Sequence, residues 1–221
     1  QTKSVFAEST SFFKDKQKVI LGLRYDIVST EANDAYTLPD KGTKVSEPLY
    51  TSTYTDYSGK TKTEEGNLNG LLRYERGYKN NLNIFAGLSR THRYADATEQ
   101  YMARNALMGG IDQSWIGNPD LKPEQHNQFD IGMSQVSDKT NWTVSAYYDV
   151  VNNYILRDLA TNQTDSGVTA TAPGVTDLRT IYVNKDATIY GLDMSGSWKT
   201  SQHIKIGSSL SLTKGTNETD D

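Results

Sequence analysis

Apolar and polar residues alternate along most of this chain, with a period of two that outlasts an ordinary strand of about five or six residues. Val19, Leu21, Leu23, Tyr25 and Ile27 oppose Gly22, Arg24 and Asp26, with Ile20 and Val28 as exceptions. Leu68, Gly70, Leu72 and Tyr74 oppose Asn67, Asn69, Arg73 and Glu75, and Leu82, Ile84, Ala86 and Leu88 oppose Asn83, Phe85, Gly87 and Ser89. Trp142, Val144, Ala146, Tyr148 and Val150 form a fourth apolar row, Tyr190, Leu192, Met194, Gly196 and Trp198 a fifth, and Ile204, Ile206, Leu210 and Leu212 a sixth. A weaker strand around Ser4–Phe13 and one through Phe129, Ile131 and Met133 bring the set to about eight. No helical periodicity of comparable strength runs through the chain.

The connections alternate as well. Lys14–Gln17, Gly77–Asn80, Ser137–Thr140 and Lys199–Gln202 read as short polar turns, whereas roughly 30–62, 92–123 and 156–180 are long polar stretches. The two ends of the sheet therefore differ. A soluble antiparallel sandwich, serving as a β-rich binding or adhesion domain, uses shorter strands and gives no reason for every second connection to be long. A transmembrane β-barrel accounts for both features. Its strands cross with about 9–11 residues, apolar side out and polar side in, and its periplasmic turns are short while its extracellular loops are long. The pattern predicts an all-β fold: a portion of an antiparallel transmembrane β-barrel with about eight long strands. Tyr25, Tyr74, Trp142, Tyr148 and Trp198 sit near strand ends, as the interfacial aromatic girdles require.

Composition narrows the function. Aromatic residues make up 10% of the chain, and 14 of them are tyrosines, too many for a disordered segment. The net charge of −4, with no basic cluster among the aromatics, argues against nucleic acid as a partner. The absence of cysteine excludes disulfides, thiol catalysis and zinc knuckles. There is no phosphate-cradling glycine loop and no His-Glu-x-x-His, and nothing supplies a nucleophile to partner His92 and Asp96, so an enzyme with a catalytic cofactor is not expected. Both ends read as cuts in a longer chain.

Several motifs carry a family resemblance. Gly117-Asn118-Pro119-Asp120-Leu121-Lys122-Pro123-Glu124, followed by Gln128-Phe129-Asp130-Ile131-Gly132, resembles a segment that TonB-dependent outer-membrane receptors carry midway through their barrels. Val183-Asn184-Lys185-Asp186-Ala187-Thr188-Ile189-Tyr190-Gly191-Leu192-Asp193 resembles a later strand of the same receptors, and Trp142–Leu156 the hairpin strand between them. The resemblance covers residues 80–221 by motif and 1–79 by strand rhythm. Within the family, residues 87–101, the Tyr-Gly strand and residues 214–220 are similar to the copper-related receptors. The resemblance implies a place in the outer membrane of a Gram-negative bacterium, in contact with its lipid. It implies uptake of a scarce metal ion or metal chelate, most nearly copper, with a siderophore or zinc as alternatives. Uptake of this kind is driven by the TonB complex through a plug domain, and residues 1–221 would be part of the barrel without that plug.

Copper(I) favours thioether and imidazole ligands, so the resemblance directs attention to His92, Met102 and Met108, which share the 92–123 stretch with Asp96 and Glu99. The plainer alternative is that Met102 and Met108, beside Tyr101 and Leu107, pack a folded loop. The His-x-Met and cysteine motifs that the resemblance implies as principal ligands are absent. Met133 and Met194 are expected on the lipid face, and His126 and His203 as solvated polar residues. Arg24, Asp26, Arg73, Glu75, Asp130, Asp149 and Asp193 fall on the lumen side, where they would either pair with the plug or form a charge ladder within the wall. Three sequon matches, at Asn141, Asn162 and Asn217, read as chance.

Overall fold

The computed structural model describes residues 1–32, 47–163 and 167–218. The middle of the expected 30–62 loop lies outside these residues, as do Thr164 and Thr219, which complete two of the sequons. Eight long strands dominate: β1 (Thr2–Phe13), β2 (Gln17–Glu31), β3 (Lys62–Gly77), β4 (Leu82–Arg93), β5 (Glu124–Val136), β6 (Thr140–Leu159), β7 (Thr180–Lys199) and β8 (Lys205–Asn217). Each pairs antiparallel with the next, and the sheet does not close on itself. The connections β1–β2, β3–β4, β5–β6 and β7–β8 are the short turns expected from the sequence. Asp15, Lys16, Asn80 and Asn81 supply the positive φ that two of these tight reversals need.

The register aligns the apolar positions into continuous rows. Leu72, Leu88, Phe129, Tyr148 and Tyr190 are direct cross-strand neighbours in one row, and Ile84, Met133, Val144, Met194 and Leu210 in another. Nearly all of these side chains are exposed, Phe129 at 44% and Tyr148 at 50%. A sheet that leaves such rows uncovered across its width is built to face hydrocarbon rather than water. Met133 and Met194 lie in these rows, as expected.

The opposite face is polar and closes its own charges. Arg73 Nε is 2.8 Å from Glu75 and its Nη1 3.4 Å from Asp130, while Lys18 reaches Glu75 at 2.9 Å. Asp26 is held by Arg24, Ser4 and Asn69, and Ser211 donates to Asp193 at 2.6 Å. The lumen-side charges thus form a ladder within the wall. Arg73 also stacks 3.8 Å above the ring of Phe85, whose edge lies over Gly132. A Cβ at Gly132 would stand 2.4 Å from Phe85 Cζ and 2.6 Å from the Val144 carbonyl oxygen, so only glycine fits there.

The strands run further at the loop end than their alternation suggests. β4 reaches Arg93, β6 reaches Leu159 and β3 begins at Lys62. Above the row of Leu88, Phe129 and Tyr148 there is no hydrocarbon to select apolar residues, so the ladder continues while the sequence signal fades. Loop segments cover these upper strands. Tyr50 and Tyr54, around the short helix α1 (Glu47–Thr53), pack with Ile116, Ile181 and Val183. Ala95 and Leu121 pack with Ile155 and Tyr182. Ile181 and Val183 alternate with Tyr182 along β7, so the two small cores lie on opposite faces of one ribbon.

Candidate functional site

The loop-end rim of β4, β5 and β6 carries the densest group of charged side chains. Pro123 has no N–H to give the ladder, and β5 starts at the next residue, Glu124. Period two then puts Glu124 and His126 on the polar face, beside Arg93 of β4 and Asp149 of β6. Glu124 is 2% exposed. Its carboxylate accepts from Arg93 Nε and Nη2, both at 2.7 Å, and faces His126 Nε2 at 3.1 Å. It also accepts the backbone N–H of Ile155 at 2.8 Å, taking the place of a strand partner beyond the start of β5.

That last bond depends on a β-bulge. Between Val151 and Tyr154 β6 carries one residue more than β7, and Asn153 absorbs it with φ 58°. Asp186 Oδ1 accepts the Asn153 N–H at 3.0 Å. The bulge turns Ile155 toward Glu124 and lets the wall continue above it.

Electrostatically the group is a chain. Arg93 bridges Glu124 to Glu99, its Nη1 lying 3.0 Å from Glu99 Oε2. Glu99 sits in the short helix α2 (Ala97–Tyr101), where it and Asp96 form a capping box. His126 Nδ1 meets Asp149 Oδ2 at 2.7 Å on the far side. These contacts lie above the apolar rows. Burial alone would push the Glu124 carboxyl up, but the bonds from Arg93, His126 and the Ile155 N–H outweigh it and hold the pKa at about 2. The Glu124 contact raises the His126 imidazole above its ordinary value against the opposing effect of burial, and Asp149 adds to the rise. Asp149 Oδ1 is buried without a hydrogen-bond partner.

His126, expected to be solvated, is therefore a half-buried link between two carboxylates. The signal was present in the sequence: a period-two Glu-x-His pair facing Asp149 on the next strand. What hid it was the need to know the β5–β6 register.

The conserved-length turn before β5 is tied down at many points by its own backbone. Gly117 passes over the end of α2, where a Cβ would come within 2.7 Å of Gln100 C and Met102 N, and its N–H donates to Met102 O. Asn118 Nδ2 donates to Tyr182 O, and Ser58 binds the Asp120 carboxylate. Pro119 and Leu121 are buried, and Asn184 clamps Lys122 to β7. The loop is docked on the wall by hydrogen bonds between the same two segments that carried the family resemblance.

The three candidate metal ligands occupy different settings. His92 lies in β4 rather than in the loop, and Asn69 Oδ1 accepts its backbone N–H at 2.8 Å and lies 3.1 Å from ring Nδ1. Burial holds its pKa below the ordinary imidazole value, helped by the charges of Arg90 and His126. Met102 caps the C-terminus of α2 and is half-buried. Met108 is 83% exposed on a two-residue strand paired with Ile111–Asp112. It borders an open depression of about 1000 Å³ that includes Leu49, Arg104, Asn105 and Gln113. His92 and Met102 are not among the lining residues of that depression. His203 is exposed, as expected.

An antiparallel sheet with uncovered apolar rows on one face, a self-paired polar face and docked loops at one end is the wall of a transmembrane β-barrel. The whole chain, residues 1–221, matches the family model "TonB dependent receptor-like, beta-barrel". The chain belongs to that family, whose members are receptors of the Gram-negative outer membrane rather than enzymes. Among solved structures it is similar to the copper transporter OprC, with 22% identity and a TM-score of 0.66, over 100% of this chain and 29% of that one. It is also similar to the FrpB iron transporter from Neisseria meningitidis, with 14% identity and a TM-score of 0.58 over 98% of this chain and 26% of that one. The ferripyoverdine receptor of Pseudomonas aeruginosa gives 11% identity and a TM-score of 0.61 over 98% and 23%. The chain thus spans less than a third of the length of these relatives. A comparison with curated protein sequences finds no match.

Proposed function

We propose that the chain is part of the barrel domain of a receptor that takes up a scarce metal ion or metal chelate across the outer membrane, and that copper is the solute. The observation that carries the reading is the family match over the full chain, joined to a rim whose loop is docked on the wall while Met108 stands free in solvent. An exposed thioether is a ligand for copper(I) and a poor one for hard ions. Likeness to a copper transporter supports the same solute. His92, Met102 and Met108 are the candidate ligands, acting as successive contacts for the passing ion rather than as one site. The plug, and through it the TonB complex, belongs to the receptor outside residues 1–221, and the apolar rows contact outer-membrane lipid.

An iron chelate is the second reading, favoured by the likeness to iron and ferripyoverdine receptors. Copper uptake by cells carrying the full-length receptor separates the two. Replacing both Met102 and Met108 by alanine is expected to reduce uptake at low copper and leave a ferric chelate unaffected. Unchanged copper uptake removes this loop from the path.

A further inference from the structure

One cation stands on the outward face where the apolar rows end. Arg90 of β4 lies directly opposite Gly70 of β3 and Asn127 of β5, in the row immediately above Leu72, Leu88 and Phe129. Leu23 of β2 faces Gly70 from the other side. Because Gly70 has no side chain, the row dips there. The result is a groove of about 570 Å³ walled by Leu21, Leu23, Leu68, Leu72, Leu88 and Phe129, with Arg90 on its lining.

Arg90 is exposed. Its Nε donates to Asn127 Oδ1 at 2.7 Å, which fixes the guanidinium beside the groove and leaves its two terminal nitrogens pointing away from that bond. Among the described residues no carboxylate forms a salt bridge with it. The polar face of the sheet neutralises its charges within the wall, so an unneutralised guanidinium on the lipid side is a departure from the pattern. A planar guanidinium above a leucine-lined groove is complementary to an amphiphile with acyl chains and a phosphate at headgroup depth. The cation stands at the loop end of the strands, the extracellular side of an outer-membrane barrel.

We propose that Gly70 and Arg90 form a binding site for a phosphorylated glycolipid of the outward leaflet, with an acyl chain in the groove and the phosphate on Arg90. The site lies on the outer wall and is independent of the transported solute. It tethers the barrel to its surrounding leaflet at the β3–β4 hairpin.

The test uses the full-length receptor, delipidated in non-ionic detergent and titrated with Kdo2-lipid A under native mass spectrometry, with phosphatidylglycerol in a parallel arm. Folding of each variant is confirmed by heat-modifiable migration on gels. Arg90→Gln is expected to weaken lipid A retention about tenfold, the loss of one charge-assisted contact. Gly70→Leu, which fills the groove and keeps the charge, is expected to weaken it to a similar extent, and Arg90→Lys to restore part of the binding. Retention unchanged by both Arg90→Gln and Gly70→Leu would overturn the site. Equal binding of phosphatidylglycerol, with equal losses in the variants, would overturn its assignment to a glycolipid.

Discussion

Asn184 holds Lys122 by both of its backbone groups: its side-chain oxygen accepts the Lys122 N–H at 2.8 Å, and its amide nitrogen donates to the Lys122 carbonyl at 3.0 Å. The same nitrogen donates to Asn153 O at 2.7 Å, so one side chain joins the loop, the bulge of β6 and strand β7. Only an amide of this length offers both a donor and an acceptor. Asn184→Asp keeps the shape but loses the donor, and is expected to cost about 1–3 kcal/mol of loop docking. Hydrogen exchange at the Leu121 and Lys122 amides should rise while that of β5 stays unchanged.

Glu124 tests the rim itself. Glu124→Ala leaves Arg93 and His126 without their shared acceptor and frees the Ile155 N–H. Breaking a buried ion pair by removing one partner costs about 3–5 kcal/mol. Urea unfolding of the full-length receptor in detergent should show this loss, and protease should cut between Tyr94 and Pro123 where the parent protein resists.

The rim has a pH dependence of known sign. His126 has its pKa raised in the folded state, chiefly by Glu124 and further by Asp149, with burial opposing. Its contribution is therefore full below the unfolded value of about 6.5 and is lost as pH rises through the higher folded value. Glu124, held at about 2, contributes above the ordinary carboxylate range and loses that contribution as pH falls toward 2. Between roughly pH 5 and 6.5 both are in place. The protection factor of the Ile155 amide should be highest there and fall on the alkaline side, and His126→Gln should remove the alkaline fall.

The two faces of β5 make opposite demands. Ile131→Arg places a charge in the outward rows and should destabilise the barrel by about 2–4 kcal/mol, as expected near the bilayer midplane. One residue on, Gly132→Ala fails for another reason: the new methyl group meets the Val144 carbonyl oxygen at 2.6 Å, which no rotamer change relieves. Overpacking of this kind costs about 1–3 kcal/mol. Trimming Phe85 as well should recover only part of that loss.

These elements show how far the sequence could be read. The strand rhythm, the four short turns and the outward rows were legible because lipid on one side and a wet interior on the other select side chains with period two. The placement of Glu124 and Asp149 on one face followed from the same parity. The upper thirds of β4 and β6 were not legible, since loops rather than lipid cover them and no single periodicity is imposed. His92 was therefore assigned to a loop although it lies within a strand. The contact between Asn184 and Lys122, which are 62 positions apart, depends on a register that no local pattern encodes.

The bulge at Asn153 makes β6 a strand with two phases. Below it Val151 shares a side with Ala187 and Asp149 with Ile189; above it Leu156 takes the side of Val183. The inward positions thus change from odd to even numbers within one continuous element, while β7 keeps its parity throughout. A saturation scan of tolerated substitutions would show a regular alternation along β7 but a slip of one position in β6 at residues 152–153. Removing one residue there would leave the lower half of β6 in place and exchange inside for outside over Tyr154–Leu159.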